Sequence, residues 1–312
     1  MNDTIKNMRP WQRREREEQI RAIALAQLTA PREGFDPFVY IDELELLSPA
    51  RRRTVENLEA TIMLCLGARL RPTRTKQLLG FLREKREENG ELAQFTEFDA
   101  FLKEAIGSDV LVAHDFAPSV FASMDHDAIW NDLRGTVARL SDLGPGVFLN
   151  SGTLLGVTRD KALIAHDDDI DLAFVMKAQD AAGAAREWIE LRGKLISMGL
   201  FSKEHYNPKN VAILKATSAG DYMVDLFPAW VEDGRVYVYP HTCGELDVAQ
   251  VLPTRPCAVT GLPVPAEPEA MLAINYGAGW QVSDPYYKFP WAKAKRKFAA
   301  FLDAVERENK QA

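Results

Sequence analysis

The sequence predicts an α+β protein in which a helical amino-terminal region, residues 1–143, precedes a mixed sheet flanked by helices over residues 144–312. Three observations predict it. Apolar residues recur at helical spacing through the first part, the breaker Gly144-Pro145-Gly146 ends that texture, and short β-rich runs alternate with helical stretches afterwards. With 312 residues, 46% hydrophobic and 27% charged, the chain has material for two modest domains or one large one.

In the first part, Val55, Leu58, Ile62, Cys65 and Leu66 share one helical face, behind Ser48 and Pro49 at N-cap and first-turn positions. A second helix follows Thr73 and stops at Gly90. A third runs from Thr96 to Gly107 under a Thr-x-x-Asp cap, and a fourth covers Asp125 to Leu143. Trp11, Ile20, Ile23 and Leu28 mark an earlier helix that packs on the body of the protein or on a partner. The basic run Arg51, Arg52, Arg53 and the mixed charges from Arg83 to Glu88 read first as a solvated helix face, and second as a peripheral contact for lipid headgroups or an anionic glycan.

After Gly146 the order is a short strand from Val147 to Leu149, a turn and short helix from Ser151, a strand from Asp169 to Met176 and a helix from Ala178 to Met198. Strands then dominate: Phe201 to Tyr206, Val211 to Thr217, Tyr222 to Pro228 and Val236 to Tyr239, with Asp233-Gly234 as a turn between antiparallel neighbours. The Pro- and Gly-rich stretch from Pro240 to Pro268 reads as a surface loop. Glu267 to Tyr276 is a helix stopped by Gly277, and a basic helix spans Trp291 to Glu308.

Composition excludes several classes. A formal charge of −7 argues against nucleic acid as a partner, because such binders displace counterions with basic faces. The first residues lack an apolar core of the secretory type, and no segment approaches the roughly 20 apolar residues of a membrane span, so a cytoplasmic protein is expected. Cys65, Cys243 and Cys257 leave an odd thiol under any pairing and show no CxxC spacing, which argues against a disulfide framework. His241, Cys243 and Cys257 fall short of the four regularly spaced ligands of a structural zinc site.

Chemistry concentrates between Ser151 and Leu172. Asp167, Asp168, Asp169 and Asp171 repel one another and lead into an apolar run, which calls for a cation. In a strand, Asp169 and Asp171 project to one side, their Cα atoms roughly 6.6 Å apart, so both reach one magnesium or manganese ion or an adjacent pair. Asp167 joins them as a weaker ligand, and Asp168 points away if the strand begins early. Asp225 stands alone in the apolar run Tyr222 to Phe227, where a charge is costly unless it is paired or metal-bound. It is therefore a third ligand or a base for an attacking hydroxyl; the alternative is an ion pair with Lys215 on a neighbouring strand. Ser151, Gly152 and Thr153 precede a helix and can present N–H groups to a phosphate. Arg159 suits a diphosphate, and His166 is either a proton carrier or a hydrogen-bonded neighbour of the acids.

These motifs resemble the LicD/fukutin family of the nucleotidyltransferase superfamily. Gly152-Thr153-Leu154-Leu155-Gly156 with Arg159 is similar to its first element, Asp167-Asp168-Asp169-Ile170-Asp171 to its second, and Asp225 to its later acid. Asn275-Tyr276-Gly277, with Trp280 and Pro285, resembles its carboxy-terminal segment. Ala165-His166 departs from the Pro-Trp that relatives often carry there. The resemblance spans about residues 130 to 290. It implies a nucleotidyltransferase-like mixed sheet and a metal-dependent transfer of a phospho-alcohol, phosphocholine or a phospho-alditol such as ribitol or glycerol phosphate. The implied donor is CDP-activated and the acceptor a hydroxyl on a glycan or glycolipid, in cell-surface or capsular polysaccharide synthesis. The same acids and turn also serve transfer of NMP from an NTP to a small molecule or protein. A non-catalytic calcium- or glycan-binding module is disfavoured, since an EF-hand pattern is missing and Asp225 would be unexplained.

Overall fold

The computed structural model describes residues 5, 7–48, 53–106, 110–111, 116–117, 121–165, 167–220, 222–283, 287 and 289–311. The chain divides into two compact units, Met1–Pro118 and Ser119–Ala312. The division falls ahead of the helix that the sequence reading set before Gly144. Ile129, Trp130, Leu133, Val137 and Leu140 of that helix are buried in the core of the second unit, which explains its placement there.

The first unit is helical: α1 (Pro10–Thr29), α2 (Pro37–Leu47), α3 (Val55–Gly67), α4 (Pro72–Glu88) and α5 (Leu92–Ile106). The α3 helix is central. Every residue from Asn57 to Leu66 is buried, so its apolar positions do not form a single face as the spacing predicts but meet neighbours all round. Polar members of that run find partners inside the unit: the Asn57 amide nitrogen donates to Glu17 and to the Leu44 carbonyl, and Glu59 pairs with Arg21 and Arg86, while Asn57 Oδ1 is buried without a partner. Thr54, not Ser48, caps α3 by accepting from the Asn57 N–H at 3.0 Å, while Ser48 closes α2. Pro49, Arg51 and Arg52 lie outside the described residues. Thr96 is likewise not a cap. It sits inside α5, and its hydroxyl donates to the Leu92 carbonyl one turn back at 3.1 Å.

The second unit is α+β. After α6 (His126–Ser141) come β1 (Gly146–Leu149), α7 (Ser151–Arg159), β2 (Asp169–Val175), α8 (Ala181–Ser197), β3 (Leu214–Ala216), β4 (Met223–Glu232), β5 (Arg235–Val238) and β6 (Thr242–Asp247). These six strands form one mixed sheet in the order β1-β2-β4-β5-β6, with β3 also on β4. β2 and β4 are parallel, with Asp171 beside Asp225, and the other pairings are antiparallel. Because β2 takes one edge of β4, β3 and β5 share the opposite edge at successive positions. Ile170, Leu172, Phe174, Val224 and Leu226 are buried in the core, together with Trp188 of α8, whose indole N–H donates to the Val211 carbonyl at 3.1 Å.

Four expected elements change. Phe201 to Tyr206 is not a strand: only Phe201 bridges to Ala216, because the consecutive polar residues Lys203, Glu204 and His205 offer no alternating apolar face. The Val211 to Thr217 strand shortens to β3. The stretch from Pro240 to Pro268 is structured, containing β6, the one-turn helix Val248–Val251, and a small pairing of β7 (Arg255–Pro256) with β8 (Pro263–Val264). A register shift at Val236/Tyr237 and the left-handed Gly244 (φ +82°) disguise β6 in the sequence. Three helices close the chain: α9 (Pro268–Tyr276), α10 (Trp291–Lys297) and α11 (Ala299–Gln311), the last two replacing the single expected helix. Among the described residues no helix is long and apolar enough to cross a membrane.

Candidate active site

The site is built where β2 and β4 begin. In a parallel pair, residues in register project to the same face, so Asp169, Asp171 and Asp225 share one side of the sheet across strands about 4.8 Å apart. Asp171 and Asp225 are 7% and 6% exposed, a depth at which carboxylates need partners. Asp169 is half-buried at the mouth, and Asp167 and Asp168 precede it. Ligand oxygens of Asp167, Asp168 and Asp169 lie within 4.8 Å of one another. Asp168 therefore faces the cluster rather than away from it. The strand starts only at Asp169, so the alternation that would have turned Asp168 outward does not apply.

Asp171 and Asp225 have separate attachments. The Gly152 N–H donates to Asp171 Oδ2 at 2.8 Å, the Asp171 N–H donates to Thr153 Oγ1 at 2.9 Å, and the Asn150 N–H donates to the Asp171 carbonyl at 2.9 Å. Asn150, Gly152 and Thr153, around the start of α7, thus clamp one strand residue. Gly152 is required by space: a Cβ there would stand 2.8 Å from Asp167 Oδ2 and 3.2 Å from Asp171 Oδ2. Asp225 is ion-paired to Lys215, its register partner on β3.

Gly152 and Thr153 orient Asp171. Ser151 keeps its hydroxyl: Oγ is buried without a hydrogen-bond partner, and the residue adopts a left-handed φ of 42° between β1 and α7. Both side-chain polar atoms of the fully buried Asn150 are also unpartnered. Lys215 meets Asp225, the pairing the sequence offered as an alternative, and by that contact it stands at the site. Arg159 closes α7, its guanidinium forked onto Asp160 at 2.8 and 2.7 Å. His166 lies outside the described residues.

Electrostatics agree with the geometry. Burial, then the charges of Asp171, Asp167, Asp225 and Asp168, hold the Asp169 carboxyl well above the usual range. Burial, Asp167 and Asp225 do the same to Asp171 against the opposing Gly152 and Thr153 hydrogen bonds. Burial raises Asp225 too, with Lys215 pulling it back. A cluster of this kind is stabilised by a divalent cation, and its all-oxygen donor set fits magnesium or manganese.

Two further residues feel the cluster's field. Burial, then Asp171, Tyr287 and Asp167, push the Tyr276 phenol well above its ordinary value, and Arg159 opposes them. The His205 charge acts on Asp225 from an exposed turn, where Nδ1 is 2.9 Å from Ser202 Oγ. In the sequence reading Tyr276 has no role of its own, and His205 is named nowhere. The Tyr276 signal lay in the Asn275-Tyr276-Gly277 motif, whereas His205 carried none.

A mixed sheet whose two adjacent parallel strands start with paired carboxylates, opposite a Ser-Gly turn leading into a helix, defines a nucleotidyltransferase-type catalytic domain. Residues 144–267 match the family model described as LicD/FKTN/FKRP, nucleotidyltransferase domain, which supports assigning this segment to that family. The matched span covers β1 through β8, hence every carboxylate of the cluster. A search of curated proteins found no match. The matched family is one of phosphotransferase-type transferases acting on glycans, generally dependent on a divalent metal, so the match suggests a transferase.

Proposed function

We propose that the protein transfers a phospho-alcohol, phosphocholine or a phospho-alditol, from a CDP-activated donor to a glycan or glycolipid hydroxyl. The observation that carries this reading is the register of Asp171 with Asp225 beside the Gly152 N–H, which brings remote acids to one point facing a helix start. Asp169 and Asp171, with Asp167 and Asp168 at the mouth, would hold magnesium or manganese; when bound, that ion neutralises the donor's diphosphate. Asp225 is a further ligand or the base that receives the acceptor's proton, oriented by Lys215, whose charge opposes the upward pull of burial on that carboxyl. Ser151 Oγ, free of other partners, donates to a phosphate oxygen at the positive end of α7. Arg159 and the Tyr276 hydroxyl supply further donors to the diphosphate. The acceptor oxygen attacks the distal phosphorus as the bond to CMP breaks, so the residues act by alignment and charge compensation.

The test is a donor screen with CDP-choline, CDP-ribitol, CDP-glycerol and the four NTPs, each with magnesium or manganese and a glycan acceptor. Release of CMP with labelling of the glycan supports the proposal. Release of diphosphate from an NTP, with no CMP from any CDP donor, replaces it with nucleotidyl transfer.

A further inference from the structure

A polar cavity of about 330 Å³ lies wholly within the helical unit, lined by Arg14, Arg53, Lys85, Arg86, Glu56 and Glu91 among others. Its size falls at the lower end of the range of small-molecule sites, about 300 to 1,000 Å³. Four cations face two acids there, and both acids are already opposite a cation: Glu91 accepts from Arg86 at 2.8 Å, and Glu56 is 3.8 Å from Arg14. Thr54, Val55 and Glu56, the N-cap and first turn of the thirteen-residue α3, form part of the wall, so the positive end of that helix meets the cavity.

The independent pointer to a ligand is Arg53. It is 8% exposed, its Nε is buried with no hydrogen-bond partner, and its ion pair among the described residues is with Glu45 at 3.9 Å, too long for a hydrogen bond. Arg86 lines the same space with both terminal nitrogens engaged and its buried Nε unpartnered. Two buried guanidinium donors without acceptors are costly unless an acceptor arrives from outside the chain. Burial and the neighbouring Arg74 charge also hold the Arg53 guanidinium below its ordinary value, as expected of a cation awaiting an anion.

We propose that this cavity binds a phosphate group, its oxygens shared among Arg53, Arg86 and Lys85 at the start of α3. A carboxylate offers two oxygens, whereas donors from α4, from Arg53 and from the start of α3 suit the three or four oxygens of a tetrahedral oxyanion. The phosphate belongs either to a small soluble molecule or to a lipid headgroup.

The test uses the full chain without metal, at constant ionic strength, with inorganic phosphate as the probe. Calorimetric titration should show saturable binding, and hydrogen exchange should slow in residues 53–60. Arg53→Gln should weaken affinity at least about tenfold. Lys85→Ala, a partly exposed change that leaves the buried network intact, should weaken it severalfold and serves if Arg53→Gln fails to fold. Retention on phosphatidylglycerol vesicles, lost in these variants and absent with phosphatidylcholine alone, assigns the group to a lipid; phosphate binding without retention assigns it to a soluble ester. Equal protection by acetate, or wild-type phosphate affinity in Lys85→Ala and in a folded Arg53→Gln, overturns the site.

Discussion

At the scale of single residues, the account rests on like charges gathered in a confined space. Asp171→Asn retains an oxygen for the Gly152 N–H while removing a charge, so the fold should persist and turnover should fall on the order of a thousandfold. Steady-state rates beside circular dichroism spectra check both halves. The raised carboxyls of Asp169 and Asp171 also fix a pH dependence. An acid whose folded-state pKa lies above its unfolded value, about 4 for Asp, costs nothing below that value and destabilises increasingly as pH rises through the folded one. Metal-free protein should therefore lose thermal stability as pH climbs from about 4, and Asp169→Asn should flatten that slope. A metal-free melting temperature that rises across this interval would count against the cluster. Lys215→Met strands Asp225 at 6% exposure, and urea denaturation should show a loss of up to about 3 to 5 kcal/mol.

At the scale of elements, α7 is held close by its glycines. A Cβ on Gly156 would stand 2.6 Å from the Ala162 carbonyl and 3.1 Å from the Ile164 backbone nitrogen, neither of which can swing aside as a side chain does. Gly156→Ala should cost about 1 to 3 kcal/mol by denaturant titration and reduce activity by shifting the turn that clamps Asp171. Much at this scale was legible. β2 could be read because acids and apolar residues alternate from Asp169 to Leu172, and α7 because a Ser-Gly turn opens an apolar stretch. Asp225 was legible because one charge in an apolar strand demands a partner. β6 was not, since a bulge and a left-handed Gly244 break its alternation. The Asp36-Pro37 start of α2 was present as a capping signal, with the Asp36 carboxylate accepting from the Phe38 N–H at 2.9 Å, but it sits ahead of a short run with no clear stripe.

At the scale of the whole molecule, two cores serve different ends. The unit from Ser119 gathers the carboxylates by non-local pairing, and such pairing sets which distant residues meet. That is why sequence spacing located Asp169, Asp171 and Asp225 but gave no sign of His205 or of Asp132, which anchors the segment before β4 by accepting from the Ala219 N–H at 3.0 Å and from the Tyr222 hydroxyl. The helical unit is organised instead around charges buried with α3, namely Glu17, Glu59 and Arg53, the last of which the sequence reading set on a solvated face. The central claim, that the carboxylates at the start of β2 and β4 form one divalent-cation site, is tested most directly by titrating the protein with manganese and following free ion by electron paramagnetic resonance. The account predicts saturable binding by the native chain, with affinity falling at least about tenfold in Asp169→Asn and in Asp171→Asn. Binding of equal strength in both folded variants, or none in the native chain, would contradict it.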